Sequence, residues 1–203
     1  MLSWSQMKHV IRQYRLEEGA LEIEYIEEHF KEFRNRKTAV EIVQRLSGRE
    51  HLILLSMAPS LDSDQVPIPV AFKVGHELRA DETDIQLSDL VRQLSDCVEF
   101  RSRKIFYSWI GGTRDEWRGQ GHYRALTEQQ EEWALAQGYH ELVVKTKNKF
   151  YGMRGTLDHL HFDVVKFQAH FRDNRESKVY LSKKIGSEIL GRHQTSRTVV
   201  EAA

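Results

Sequence analysis

The chain has 203 residues, 40% of them hydrophobic and 30% charged, the balance of a globular domain large enough to bury a core without disulfides. Lys plus Arg and Asp plus Glu each number 30, and a formal charge of zero excludes a long-range pull toward nucleic acid or an anionic membrane. The single cysteine excludes an internal disulfide framework, no apolar run reaches the length of a membrane span, and Met1–Lys8 lacks a signal-peptide pattern, so the expected setting is a reducing cytoplasm.

Val10–Arg15 predicts a first strand. Leu21–Phe33 follows with Ile23, Ile26, Phe30 and Phe33 at helical spacing. Glu22, Glu24, Glu27 and Glu28 stud that helix and read as a solvated face. Thr38–Leu46 predicts a second helix, opened by a Thr38/Glu41 capping box and closed by Gly48. His51–Met57 is an apolar run of strand length, Pro59–Pro69 is turn-rich, and the alternation of Val70, Phe72 and Val74 predicts a strand that pairs back as a hairpin.

Arg79–Arg103 reads as an insertion carrying a short helix through Leu87, Leu90, Val91 and Leu94. Cys97 falls in the helical run Leu87–Phe100 and reads as a packing cysteine rather than a nucleophile. Lys104–Ile110 is an aromatic-rich strand, and Gly111–Gly121 then holds four glycines. Tyr123, Leu126, Gln130, Trp133, Ala134 and Gln137 line one helical stripe that Gly138 stops, and Leu142–Thr146 is the next strand. Such a strand–helix–strand unit requires a parallel pair and a right-handed crossover. A short helix at Phe150–Leu160 precedes strands at Phe162–Phe171 and Lys178–Ser182, turned at Asp173–Asn174. Gly186–Ala203 reads as a polar tail.

The chemistry concentrates in Trp117–Leu126, between a buried strand and a helix start. Gly119 and Gly121 let the backbone approach a ligand and turn successive N–H groups toward it. The first turn of the helix adds unbonded N–H donors and a positive dipole end, while Arg118 and Arg124 supply charge for phosphate oxygens. Together these features predict a pyrophosphate site. A dinucleotide is disfavoured, because Arg124 stands where the third Gly or Ala of that fingerprint belongs and no acidic residue closes the next strand. The absence of a G-K-[ST] sequence disfavours ATP.

Arg118-Gly119-Gln120-Gly121-His122-Tyr123 resembles the R-x-x-G-x-G/A acyl-CoA motif of the GNAT superfamily of N-acetyltransferases. Phe106–Thr113 is similar to the strand before that motif, Thr146–Phe150 to the Asn-containing turn after the next strand, and Leu160-His161-Phe162 to the L-G-F that opens the sixth. The resemblance spans 8–185 as one domain with 79–103 inserted. It implies an α/β (α+β) fold: a mixed, mostly antiparallel twisted sheet with a splayed parallel central pair and helices on both faces. It further implies acetyl-CoA as co-substrate, a primary amine as acceptor and a homodimer as a family-level expectation, and, since the first two helices of that fold help wall the acceptor pocket, the glutamates of the first helix faintly suggest a cationic acceptor; the residues themselves point to no metal.

The implied CoA contacts are Ile110, Gly111, Gly112 and Thr113 along the pantetheine arm, then Arg118 through Arg124 at the diphosphate, and Asn148. Three positions depart from the pattern. Tyr123 replaces a Gly or Ala, His161 replaces a Gly, and Leu157 falls where many relatives carry a Tyr that protonates the thiolate. The remaining acid and base candidates are Tyr151, Tyr107, His76 and Glu77, each weighed against packing or exposure. Glu116 reads as solvent-facing. His159, His161 and His170 complete no recognisable metal-ligand spacing. Two rival readings are an acyl-CoA binder without catalysis and an interaction module that docks through the insertion.

Overall fold

The computed structural model describes residues 10–16, 23–24, 26–27, 37–58 and 67–187. Most of the helix expected at 21–33 and nearly all of the tail at 186–203 lie outside them. The strands are β1 (Val10–Tyr14), β2 (His51–Ala58), β3 (Ile68–Leu78), β4 (Ile105–Thr113), β5 (Glu141–Lys147), β6 (Asp163–Gln168) and β7 (Lys178–Lys184). The helices are α1 (Ala39–Leu46), α2 (Ile85–Leu94), α3 (His122–Ala136) and α4 (Tyr151–His159). One seven-stranded sheet runs in the order β1-β2-β3-β4-β5-β7-β6. β1 pairs antiparallel with β2, β7 pairs antiparallel with β5 and β6, and β4 and β5 are parallel. The fold is therefore the mixed, mostly antiparallel sheet with flanking helices that the resemblance implied.

The parallel ladder covers Ile105–Tyr107 with Glu141–Val143, whereas β5 stays paired with β7 along its whole length. The β4–β5 ladder is thus three residue pairs long.

The chain forms two compact units, Met1–Gly75 with Ile110–Thr127 and His76–Trp109 with Glu128–Ala203. In the first, the Thr38/Glu41 capping box forms in both directions, at 3.2 and 2.9 Å, and such a cap contributes about 1 kcal/mol. Ala58, Val70 and Trp117 form a buried cluster beside Ile68, and the Arg114 N–H donates to the Val70 carbonyl at 2.9 Å.

In the second unit, Leu87, Leu90 and Leu94 of α2 pack on Tyr107, Val143 and Tyr180. Trp133 of α3 stacks on Tyr139 and lies 5.3 Å from the Phe106 ring. Phe106 and Tyr107 are successive strand residues and point to opposite faces, so α2 and α3 cover the two sides of this part of the sheet.

The ends of α3 and α4 share one hydrogen-bond pattern. Tyr139 N–H donates to the Ala134 carbonyl and Gly138 N–H to Leu135, while Phe162 N–H donates to Leu157 and His161 N–H to Asp158. This is the Schellman arrangement, in which the residue just past the helix adopts a left-handed backbone. Gly138 does so at φ 77°, and His161 does so at φ 62° as the one non-glycine with positive φ among the described residues. The Gly of the L-G-F pattern therefore has a backbone cause, and His161 carries the strain of replacing it.

Two expectations are corrected. α2 ends at Leu94 rather than running on to Phe100, so Cys97 lies in the turn beyond it and is exposed. Its thiol donates to the Leu94 carbonyl, and burial pushes the thiol up rather than activating it. β6 ends at Gln168, short of Phe171, after a register shift between Val164 and Lys166 that bends this edge strand.

Candidate functional site

β4 delivers the chain through Gly111, Gly112 and Thr113 into a single 3-10 turn, Asp115–Trp117. Trp117 is buried and anchors that turn, and the His122 ring meets it edge-on at 5.7 Å. His122 is itself buried, with Nδ1 hydrogen-bonded to Ser56 Oγ at 2.9 Å. Only the main chain of His122 is therefore in a position to meet a ligand.

Gly119 and Gly121 adopt φ of 74° and 82°, which favours glycine at both. A Cβ on Gly119 would meet no atom within 4 Å, so backbone conformation and not space selects glycine there. The first hydrogen bond of α3 runs from the Ala125 N–H to the Gly121 carbonyl at 2.9 Å, leaving His122, Tyr123 and Arg124 in the first turn, ahead of the helical ladder. Arg118 braces the loop: Nε donates to the Thr113 carbonyl at 3.2 Å and Nη2 pairs with Asp115 at 2.5 Å. Gln120 Nε2 donates to the Glu116 carbonyl at 3.2 Å. Arg118, Gln120, Arg124 and Glu116 are exposed.

Tyr123, the departure from the small residue of the motif, turns its ring toward β4 and β3. Lys73 Nζ donates to its hydroxyl at 3.1 Å and sits 4.2 Å from the ring centroid. A Cβ on Gly111 would lie 3.2 Å from Tyr123 Cε2 and 3.1 Å from the Phe72 carbonyl oxygen, so the ring occupies space that Gly111 vacates. The bulky side chain is thus absorbed by the sheet, and the main-chain N–H of Tyr123 keeps its place in the first turn. Lys73, only 1% exposed, escaped the sequence reading. The available signal was a lysine between Phe72 and Val74 in an otherwise apolar strand. Thr113 Oγ1 is also buried and has no hydrogen-bond partner among the described residues. An orphaned hydroxyl beside left-handed glycines and a helix start fits a polar ligand such as the diphosphate and pantetheine of CoA.

The acid and base candidates fall in the second unit. Tyr107 is a core residue, 6% exposed, with the His76 ring edge-on at 5.5 Å. His76 is fully buried, Nδ1 lies 2.7 Å from the Glu77 carbonyl oxygen, and the ring also packs against Trp109. The Glu77 carboxylate is committed to Arg79, at 2.6 and 2.7 Å. Tyr151 is 62% exposed at the start of α4. Leu157 is buried, so α4 presents no acid there.

Asn148 braces the turn after β5 instead of reaching outward. Its Nδ2 donates to the Asn174 carbonyl at 3.1 Å, its Oδ1 accepts from Arg154 Nη1, and its N–H donates to the Ser177 carbonyl. No group of three or more His, Cys, Asp or Glu among the described residues is placed to hold a metal ion. No helix among them is long and apolar enough to cross a membrane.

No protein-family model matches the sequence, and no curated protein matches it at the sequence level. Solved structures do match the fold. Arabidopsis thaliana NAA60 in complex with acetyl-CoA superposes with a TM-score of 0.59 at 17% identity, covering 87% of this chain and 99% of that one. The ribosomal-protein-S18-alanine N-acetyltransferase from Escherichia coli gives 0.56 at 12% identity, with 87% and 95% covered. An acetyltransferase of the GNAT family from Desulfovibrio desulfuricans, described as putative, gives 0.60 at 11% identity, with 88% and 100% covered. Strand order, the parallel β4–β5 pair and these superpositions agree that the chain has the fold of the GNAT superfamily.

Proposed function

We propose that this protein transfers an acyl group, acetyl by default, from acyl-CoA to a primary amine by direct attack. The observation that carries the reading is the pair of left-handed glycines, Gly119 and Gly121, opening α3 after β4 and its 3-10 turn. Main-chain N–H groups from Arg118 to Arg124 would hold the diphosphate, and Ile110 to Thr113 would line the pantetheine. A main-chain N–H in that β4 segment would stabilise charge developing on the thioester oxygen. The uncharged amine nitrogen attacks the thioester carbonyl carbon. A C–N bond forms, the C–S bond breaks, the electron pair leaves on sulfur and the amine loses one proton. A thiol with an ordinary pKa near ~8.5 leaves as a fairly stable thiolate, so the reaction tolerates the loss of a dedicated acid.

Tyr151 is the exposed candidate for protonating sulfur. His76 and Tyr107 are core residues that would act only through water or a change of packing. The buried Leu157 favours one second reading, an acyl-CoA binder without turnover. Thiol release from acetyl-CoA across a panel of amines, beside calorimetric CoA titration, tests both. Turnover with any amine supports transfer. Saturable CoA binding with no thiol release supports the binder, and no CoA binding by the folded protein overturns both.

A further inference from the structure

The registers of β5, β7 and β6 assemble something no single stretch of sequence contains. Lys145 lies directly opposite Tyr180, which lies opposite Lys166, and in the next row Lys147 faces Lys178, which faces Gln168. Val143 and Tyr180 share a core cluster with Tyr107 under α2, and side chains repeat every second residue, so both rows lie on the α2 face. Four ammonium groups therefore crowd one patch, with like charges directly opposed at Lys147 and Lys178. Such a pairing is destabilising unless something of opposite charge lies between.

Two described carboxylates, Asp89 and Glu176, act on the patch, and each also holds another cation. Asp89 of α2 is paired with Arg92 at 2.5 Å. Glu176 is shared between Lys147 and Lys149, at 2.6 and 2.5 Å. Lys166 donates to the Gln93 carbonyl at 2.7 Å. Lys145 and Lys178 are left, both partly buried, with no hydrogen bond or ion pair among the described residues. Burial lowers the Lys145 pKa, and repulsion from Lys178 adds to it, with Asp89 opposing. Lys145 is also the first residue on this face beyond Val143, where the β4–β5 ladder ends.

We infer that Lys145 and Lys178 bind the anionic group, carboxylate or phosphate, of the amine acceptor. The inference rests on the acyl-transfer reading, which leaves the acceptor unidentified. It replaces the cationic acceptor faintly suggested by the glutamates of the first helix with an acceptor of opposite charge. A positive patch of this kind also favours the uncharged form of a nearby amine, which is the form that attacks.

The test has a binding arm and a kinetic arm. Succinate is titrated into the full chain saturated with CoA and followed through the amide resonances of β5 and β7. The expected result is saturable shifts at Lys145, Thr146, Lys178 and Val179. They should weaken roughly tenfold in Lys145→Gln/Lys178→Gln and persist in Lys184→Gln. No shifts in the folded wild type would overturn the anion site, whatever the protein does with acetyl-CoA. In the kinetic arm β-alanine and O-phosphoethanolamine, which separate carboxylate from phosphate, are compared with propylamine and putrescine. An anionic amine should show the lowest KM, and the double variant should raise that KM with kcat little changed. Preference for putrescine or propylamine would overturn the inference and leave the transfer reading standing. Succinate binding without thiol release from any amine would overturn the transfer reading, and the acceptor role with it.

Discussion

The loop from Thr113 to Arg124 and the lysine patch on β5 and β7 are built by opposite means. The loop is held by contacts a few residues long: Arg118 to Asp115 and Thr113, Gln120 to Glu116, Ala125 to Gly121. The patch is held by strand register, which brings Lys145 beside Tyr180 and Lys147 beside Lys178. Elsewhere in that second unit the same long-range logic produces the buried Lys183–Glu131 pair at 2.6 Å. A short-range site tolerates distant change and fails with one backbone torsion. A register-built site tolerates loop variation and fails when a strand slips by one residue and turns its side chains to the other face.

The largest effect should come from breaking the long-range side. Lys183→Met leaves Glu131 buried without its ammonium, and losing one partner of a buried pair costs about 3–5 kcal/mol. Denaturant melting should show that loss, and Lys183→Met with Glu131→Leu should recover most of it. The short-range side should break as sharply in function but not in stability. Gly121→Trp cannot keep φ at 82° without strain and should abolish CoA binding by calorimetry while circular dichroism stays native. Unchanged affinity in that folded variant would remove the loop from the site.

Two smaller predictions sharpen the contrast. His161→Gly relieves a left-handed residue in a motif where α3 uses Gly138, and should stabilise by about 1 kcal/mol, read as a rise in Tm of ~2–4 °C. The smallest effect is that of Glu176, whose pKa is held down to about 2 by hydrogen bonds from Lys147 and Lys149. Because the folded value is the lower one, its contribution is complete above the ordinary carboxylate range near ~4.3 and is lost as pH falls toward the folded value. A carboxyl carbon titration should place the midpoint, and Glu176→Gln should flatten stability across that acid window only.

Sequence alone determined the features whose causes are local. The Thr38/Glu41 cap, the stop at Gly138, the glycines of the Thr113–Arg124 loop and the alternation of Val70, Phe72 and Val74 each depend on torsions and bonds within a few residues. The superfamily fold was legible for the same reason, because its motif is a strand, a turn and a helix start in sequence. Tertiary structure decided the rest. Only the structure shows Gly111 and Lys73 around the Tyr123 ring, and Arg154 and Asn174 bonded to the Asn148 side chain. Cys97 looked buried until α2 was found to end at Leu94. The partners of a side chain depend on strand register and helix docking, which bring together residues tens of positions apart, and a charge pattern read along one strand does not reveal which charges will face each other.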